Sequence, residues 1–193
     1  MGNLSRACHS LAVLGAGVTL LAPAPAVVAA EYLTLDAAQR AVFPGASRFE
    51  PVTLALTVAQ RQAVAALSGP QPARGRLRVW QVGNESASLG YFFADEILGR
   101  QDFIDYALGI NSDGTLRAPE IMVYRESHGG EVRNVAWLGQ FTRRRDGVRL
   151  RASVDIKNIA GATLSCEHLT AGVRYLAALW QVVLSPETGA ASP

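Results

Sequence analysis

Cysteine is nearly missing from this 193-residue chain, which has only Cys8 and Cys166. Two cysteines exclude a disulfide scaffold and a four-cysteine zinc site. Histidine is scarce too: His9, His128 and His168 are the only three, and none sits at metal-ligand spacing. Zinc and haem sites are therefore not expected. Net charge is almost absent at +2, too little for a protein that binds nucleic acid by neutralising phosphates. Lysine is reduced to one residue, Lys157, against seventeen arginines. Such an arginine excess commonly follows genome composition and assigns no function. Long apolar runs are missing after the first thirty residues. What is present is enough apolar material, 49% of residues, to exclude a disordered chain and to build one domain with a core.

The exception among the apolar runs is Leu11 to Leu21, uncharged and preceded by Arg6. It has the length of a signal-peptide core and is short for a membrane span. Pro23 and Pro25 break a helix there, and Val28-Ala29-Ala30 offers small residues for cleavage, leaving Glu31 first. An uncleaved anchor helix is the alternative. Cys8 precedes the apolar core, which argues against a lipoprotein site. Residues 1–30 are thus expected to be a signal peptide, 31–185 a single domain and 186–193 a loose tail. Cleavage removes Arg6 and Cys8 and no acid, so the mature charge falls to +1, seventeen basic residues against sixteen acidic ones. One thiol, Cys166, remains, and it cannot form an internal disulfide.

The mature stretch reads as two helices, a set of strands and a last helix. Thr34 to Val42 places Leu35, Ala38 and Val42 on one face behind a Thr34 cap. Val58 to Leu67 follows a capping-box pattern of Thr57 and Gln60, and Gly69-Pro70 stops it. Strands are expected from Arg76 to Gln81, Leu89 to Ala94, Phe103 to Ile110 and Leu116 to Tyr124. Asp113-Gly114 between the last two is a hairpin signal. Val132 to Leu138 is a strand or an irregular connection. Val148 to Ile156 alternates Val148, Leu150, Ala152, Val154 and Ile156 with polar residues, as a half-buried strand does. From Ser165 to Leu184, Leu169, Val173, Leu176, Trp180 and Val183 recur at helical spacing. The fold class is α+β: one domain on an antiparallel sheet, with N-terminal helices and a C-terminal amphipathic helix.

One junction stands out chemically. Ala160-Gly161-Ala162-Thr163-Leu164-Ser165 leads into the last helix. Small residues allow close backbone approach. Unpaired N–H groups and the dipole at a helix start favour a phosphate, and Thr163 offers a hydroxyl there. A plain turn capped by Thr163 or Ser165 is the other reading.

The stretch Gly161-Ala162-Thr163-Leu164-Ser165, entering an amphipathic helix near the end of an exported domain, resembles the flavinylation motif of the FMN-binding domain family. That family includes the peripheral subunits of the sodium-pumping NADH:quinone reductase and Rnf complexes. Asp95 to Gly99, Phe103 to Gly114 and Ile121 to Val132, with Tyr124-Arg125-Glu126-Ser127-His128-Gly129-Gly130-Glu131, are similar to its small single-domain members. Tyr32 to Phe49, with its Phe-Pro-Gly turn, resembles their N-terminal helix. The likeness spans nearly all of the mature stretch. It implies FMN esterified through its phosphate to Thr163 by a separate flavin transferase. It also implies a glycine loop, Tyr124 to Gly130, beside the flavin.

Two positions depart from the family pattern. Ala160 stands where a Ser or Thr precedes Gly-Ala-Thr, and Lys157 where an Asp often stands six residues before the Thr. Lys157 is either a partner for the phosphate or a solvated strand residue. The cofactor-binding candidates are therefore Lys157, Gly161, Ala162, Thr163 and Ser165, with Tyr124, Glu126, Ser127, His128, Gly129 and Gly130. Glu126 and Tyr124 share a strand face, where a cross-strand salt bridge is the alternative. His128 contacts a flavin edge or is a solvated loop residue, and His168 faces the flavin or water. Cys166 has a lowered pKa at the helix start or is a buried small residue. No Gly-x-Ser-x-Gly frames Ser165 as a nucleophile. Arg143 to Arg145 form a polar turn or dock an acidic partner.

The resemblance implies an exported electron carrier on the extracytoplasmic face of the inner membrane. It would pass electrons between a membrane-bound redox partner and an acceptor. It would be a carrier before an enzyme with its own substrate, with no metal and no nucleic acid. A flavin-free exported binding or assembly module of the same fold is the competing expectation.

Overall fold

The structure, a computed structural model, describes residues 30–186. The expected signal peptide up to Ala29 and the tail after Pro186 lie outside the described residues. Ala30 and Glu31 form a short strand, β1 (Ala30–Glu31). Helix α1 (Leu35–Val42) starts as its sequence dictates: Thr34 Oγ1 accepts from the Ala37 N–H at 3.2 Å. Strand β2 (Arg48–Val52) follows, and then helix α2 (Val58–Ser68). The capping box forms in both directions, with Gln60 N–H on Thr57 Oγ1 at 3.2 Å and Thr57 N–H on Gln60 Oε1 at 2.9 Å. Two orphan donors are thereby satisfied.

Four long-range strands complete the sheet: β3 (Arg74–Gly83), β4 (Ser88–Leu98), β5 (Phe103–Asn111) and β6 (Glu120–Tyr124). The order is β1-β6-β5-β4-β3-β2, antiparallel throughout. Both faces are covered. On one, Phe93, Ile97, Tyr106, Leu108 and Ile121 pack under α2 and the last helix, α4 (Thr163–Leu179). On the other, Phe92, Ala94, Ala107 and Met122 pack under α1. Burial on both faces explains the continuous apolar run of β4.

Three sequence expectations change. Leu116 to Tyr124 is a strand only over Glu120–Tyr124. Pro119 has no N–H for a ladder, and Leu116 is held elsewhere. Its N–H donates to Arg144 O and its carbonyl accepts from Arg143 N–H, both at 2.8 Å. Val132 to Leu138 is helical, a 3-10 turn over Gly130–Arg133 and then α3 (Val135–Leu138). Asn134 caps α3 by accepting from Trp137 N–H at 3.1 Å.

The third change is the largest. Val148 to Ile156 is no strand; it starts in a 3-10 turn, Gly147–Arg149, and curls. The Asp155 carboxylate accepts from the Arg151 N–H at 2.9 Å and Ser153 takes φ of 65°. Leu150 and Ile156 are buried but Val154 is 63% exposed. The short local bonds of Arg151 and Asp155 compete successfully with a sheet ladder.

Strand β2 was not anticipated. Its Pro51 is tolerable because β2 is an edge. The last helix begins two residues earlier than its pattern indicates. It ends in a π turn, Trp180–Leu184, where Ser185 N–H reaches Trp180 O at 2.8 Å.

Candidate functional site

Three segments far apart in sequence line one cleft of about 190 Å³. Glu126, His128 and Gly129 come from the loop after β6. Gly161, Ala162, Thr163, Leu164 and Ser165 come from the start of α4, and Arg100 from the β4–β5 turn. The sheet puts them together. Strands β5 and β6 pair so that Ile104 lies opposite Tyr124, which sets the β6 exit beside the β4–β5 turn.

The floor is a small polar knot. Tyr124, 3% exposed, donates its hydroxyl to His128 O at 2.6 Å. Its oxygen also lies 3.2 Å from Ser165 Oγ. Gly129 between them takes φ of 86°. A Cβ there would stand 2.6 Å from Tyr124 OH and 2.9 Å from Ser165 Oγ. Only glycine fits this position, for conformation and for space. Burial raises the Tyr124 phenol above its ordinary pKa, with the Ser165 hydrogen bond opposing, so Tyr124 stays a neutral donor.

The rim carries one acidic and one basic residue, Glu126 and Arg100. Glu126 Oε1 accepts from the backbone N–H groups of Arg100, Gln101 (3.0 Å) and Asp102 (3.4 Å). The carboxylate is thus absorbed in building the β4–β5 turn, and it makes no salt bridge among the described residues. Gly99 admits it: a Cβ at Gly99 would meet Glu126 Oε1 at 2.2 Å. The neighbouring Arg125 takes the ion pair instead, with Asp105 at 2.9 Å through Nη2 and Oδ2. Arg100 lines the cleft as an exposed residue and joins no ion pair among the described residues.

Helix α4 starts at Thr163 with Ala162 as N-cap, and no side chain caps it. The N–H groups of the first turn therefore have no capping acceptor, and the positive end of the dipole faces the cleft. Thr163 is the first helical residue and exposed, whereas Ala162 and Ser165 are buried. Neither Thr163 nor Ser165 caps the helix; Ser165 instead joins Tyr124.

Several candidates fall outside the cleft. Lys157 does not line it. Its carbonyl accepts from Trp137 Nε1 at 2.6 Å and its N–H donates to Gln140 Oε1 at 2.8 Å, which leaves the side chain exposed. Gly130 begins the 3-10 turn behind the loop. Ser127 Oγ lies 2.9 Å from His128 Nδ1 and orients that ring at the rim. His168 does not line the cleft: its Nδ1 donates to Leu98 O at 2.6 Å. Cys166 is fully buried, and burial raises its thiol pKa, so of its two readings the buried small residue holds. Arg145 of the basic turn pairs with Asp113.

Sequence reading missed Arg100. Nothing in its own neighbourhood marks it; only the Glu126 carboxylate, 26 residues away, brings it to the cleft. The uncapped start of α4, the exposed Thr163 and Arg100 thus bring hydrogen-bond donors and one cationic residue to the same cleft, a combination chemically suited to an anion. No family model and no curated protein matches this chain.

Proposed function

We propose that the protein is an exported electron-transfer flavoprotein whose FMN is phosphoester-linked to Thr163. One observation carries the reading: the Glu126-to-Gly129 loop and the Gly161-to-Ser165 helix start, singled out separately in the sequence, line the same cleft. The residues suit the group. Thr163 offers an exposed hydroxyl at an uncapped helix N-terminus, the environment a phosphate prefers. Arg100 supplies a positive charge beside the phosphate, the role that one of the two readings of Lys157 offered. His128 lies at the rim, within reach of a polar ligand edge.

The cleft is smaller than the ~300 Å³ at which enclosed small-molecule pockets begin. It accommodates the phosphate end and leaves much of a flavin uncovered. An exposed ring suits a carrier that exchanges electrons with other proteins. The bound flavin supplies the redox chemistry, and the protein supplies position, charge and solvent access. A covalent tether retains a small cofactor outside the cytoplasm. Maturation requires a flavin transferase, and the partners are a membrane-bound reductase and an acceptor. Among the described residues no helix is long and apolar enough to cross a membrane.

The test is co-expression with a flavin transferase, followed by denaturing electrophoresis and intact mass. Flavin fluorescence on the denatured band, with a mass gain of FMN less one water that Thr163→Ala abolishes, supports the reading. Flavin that leaves entirely on denaturation points to a noncovalent flavoprotein. No flavin in either form identifies a flavin-free binding or assembly module of this fold, which the Ala160 departure would then explain.

A further inference from the structure

A second cavity, of about 370 Å³, opens beside the C-terminal end of α1. Val42 and Pro44 line it from the end of the helix, Leu116, Arg117 and Glu120 from the chain that leads into β6, and Arg143 from the turn bonded to Leu116. Its charged lining residues are Arg117, Glu120 and Arg143, and none joins an ion pair among the described residues. Arg143 is exposed, so water screens its charge. Arg117 and Glu120 are half-buried.

Only neutral groups fix Arg117 in the wall. Its Nε donates to Asn111 Oδ1 at 2.8 Å and its Nη1 to Val42 O at 2.9 Å. Its guanidinium carbon stands 4.2 Å from the centre of the Phe43 ring. Burial lowers its pKa, and no charged neighbour opposes the effect. The Glu120 carboxylate has no hydrogen-bond donor among the described residues, and burial raises its pKa, again unopposed. Neither group is sealed: the Glu120 oxygens and Arg117 Nη2 keep access to solvent. Two opposite charges therefore share one cavity, each partly desolvated and neither neutralised by the other. Such charges are costly until they meet a partner.

A simple anion on Arg117 would leave Glu120 bare and meet its repulsion. A simple cation on Glu120 would leave Arg117 bare and meet repulsion from it and from Arg143. A zwitterion satisfies both groups. Positions 117 and 120 are three residues apart, so their Cα atoms lie within about 11 Å, a short span that suits opposite charges borne on one carbon. Val42, Pro44 and Leu116 offer an apolar wall to an aliphatic side chain. We propose that this cavity binds a free α-amino acid with a small aliphatic side chain, its carboxylate on the Arg117 guanidinium and its ammonium on the Glu120 carboxylate. The site uses no residue of the Thr163 cleft and stands independently of the flavin reading.

The probe is L-valine, titrated into the isotope-labelled full chain and followed by amide NMR. The controls are isovalerate, which lacks the ammonium, and isobutylamine, which lacks the carboxylate. Saturable shifts centred on Val42, Asn111, Arg117, Glu120 and Arg143 are expected with valine. Each control should bind about tenfold more weakly or worse, having lost one charge-assisted hydrogen bond. Glu120→Gln should abolish the preference for valine over isovalerate. If that variant fails to fold, Glu120→Asp, which draws the carboxylate back by one methylene, should weaken valine without weakening isovalerate. Isovalerate or isobutylamine binding as tightly as valine, shifts centred elsewhere, or no saturable binding overturns the proposal.

Discussion

Tyr124 and Ser165, 41 residues apart, meet with their hydroxyl oxygens 3.2 Å apart beneath the cleft. The Tyr124 proton is committed to His128 O at 2.6 Å, so Ser165 is the donor in this pair. One phenol therefore ties the end of β6 to the glycine loop and to the first turn of α4. Tyr124→Phe removes both bonds and strands a buried Ser165 hydroxyl. The expected loss is about 1–3 kcal/mol, read as a lowered midpoint in urea. Flavin loading at Thr163 should fall further than in an equally destabilised core variant such as Ile121→Val. Equal losses in the two would show that the knot stabilises the fold without shaping the cleft.

Gly129→Ala probes the same knot by adding volume. The residue must hold φ of 86°, and its Cβ would press on Tyr124 OH and Ser165 Oγ. Backbone strain alone costs about 1–3 kcal/mol. The loop must move away from α4 to relieve the contact. Amide exchange should accelerate at His128 to Glu131 while the β3–β4 core is unchanged. Unaltered exchange in this loop would contradict the packing described.

Most of the fold was legible because its signals are local. Thr34, Thr57 and Gln60 announce the helix starts, and the buried spacing of Leu169, Val173 and Leu176 announces α4. The cleft was half legible: the segments were visible, but not the hand that joins them. Val148 to Ile156 alternates like a strand, yet Asp155 binds back to Arg151 and bends it. Lys157 reads in the sequence either as a phosphate partner or as a solvated residue. Its backbone is fixed by Trp137 and Gln140 with the side chain exposed away from the cleft lining, while Glu126 brings Arg100 to the cleft. These are long-range pairings that no local pattern encodes.

Arg100 therefore makes a prediction that Lys157 does not. In a Thr163→Ala background, where no ester forms, noncovalent FMN affinity can be titrated by fluorescence. Arg100→Gln should weaken it about tenfold, in line with loss of a charge-assisted bond. Lys157→Gln should change it less than twofold. The Arg100 effect should shrink as salt rises to about 1 M, where exposed charges are screened. The reverse ranking of the two variants would return the phosphate to Lys157.

Cys166 is expected to be inert. It is 0% exposed, its pKa is raised by burial, and it lies in the first turns of α4 beside Ala162. Iodoacetamide at pH 8 should label the native protein on the order of a hundredfold more slowly than the unfolded chain, since the thiolate is both scarce and inaccessible. Fast native labelling would indicate that the start of α4 opens. Cys166→Ala should leave flavin loading unchanged.

Beneath Tyr175 a buried ion pair joins Arg74 to Asp95, with side chains 15% and 0% exposed. Burial raises the Asp95 pKa despite the Arg74 guanidinium beside it, and Arg74 is raised in turn, chiefly by Tyr106 and Asp95 against its own desolvation. A carboxyl held above its unfolded value favours folding while protonated. That contribution is complete below the unfolded pKa, near 3.9, and is lost as pH rises through the folded value. Relative to Asp95→Asn, which cannot ionise, the native protein should therefore lose stability across that interval. Arg74→Met leaves the carboxylate buried without its cation and should cost about 3–5 kcal/mol at pH 7. The pair Arg74→Met with Asp95→Leu removes both desolvation penalties together, and should be neutral or more stable than the native protein. Urea denaturation of the four proteins between pH 4 and pH 8 checks both statements. If the double variant is as unstable as Arg74→Met alone, the ion pair contributes net stability and desolvation does not dominate at Asp95.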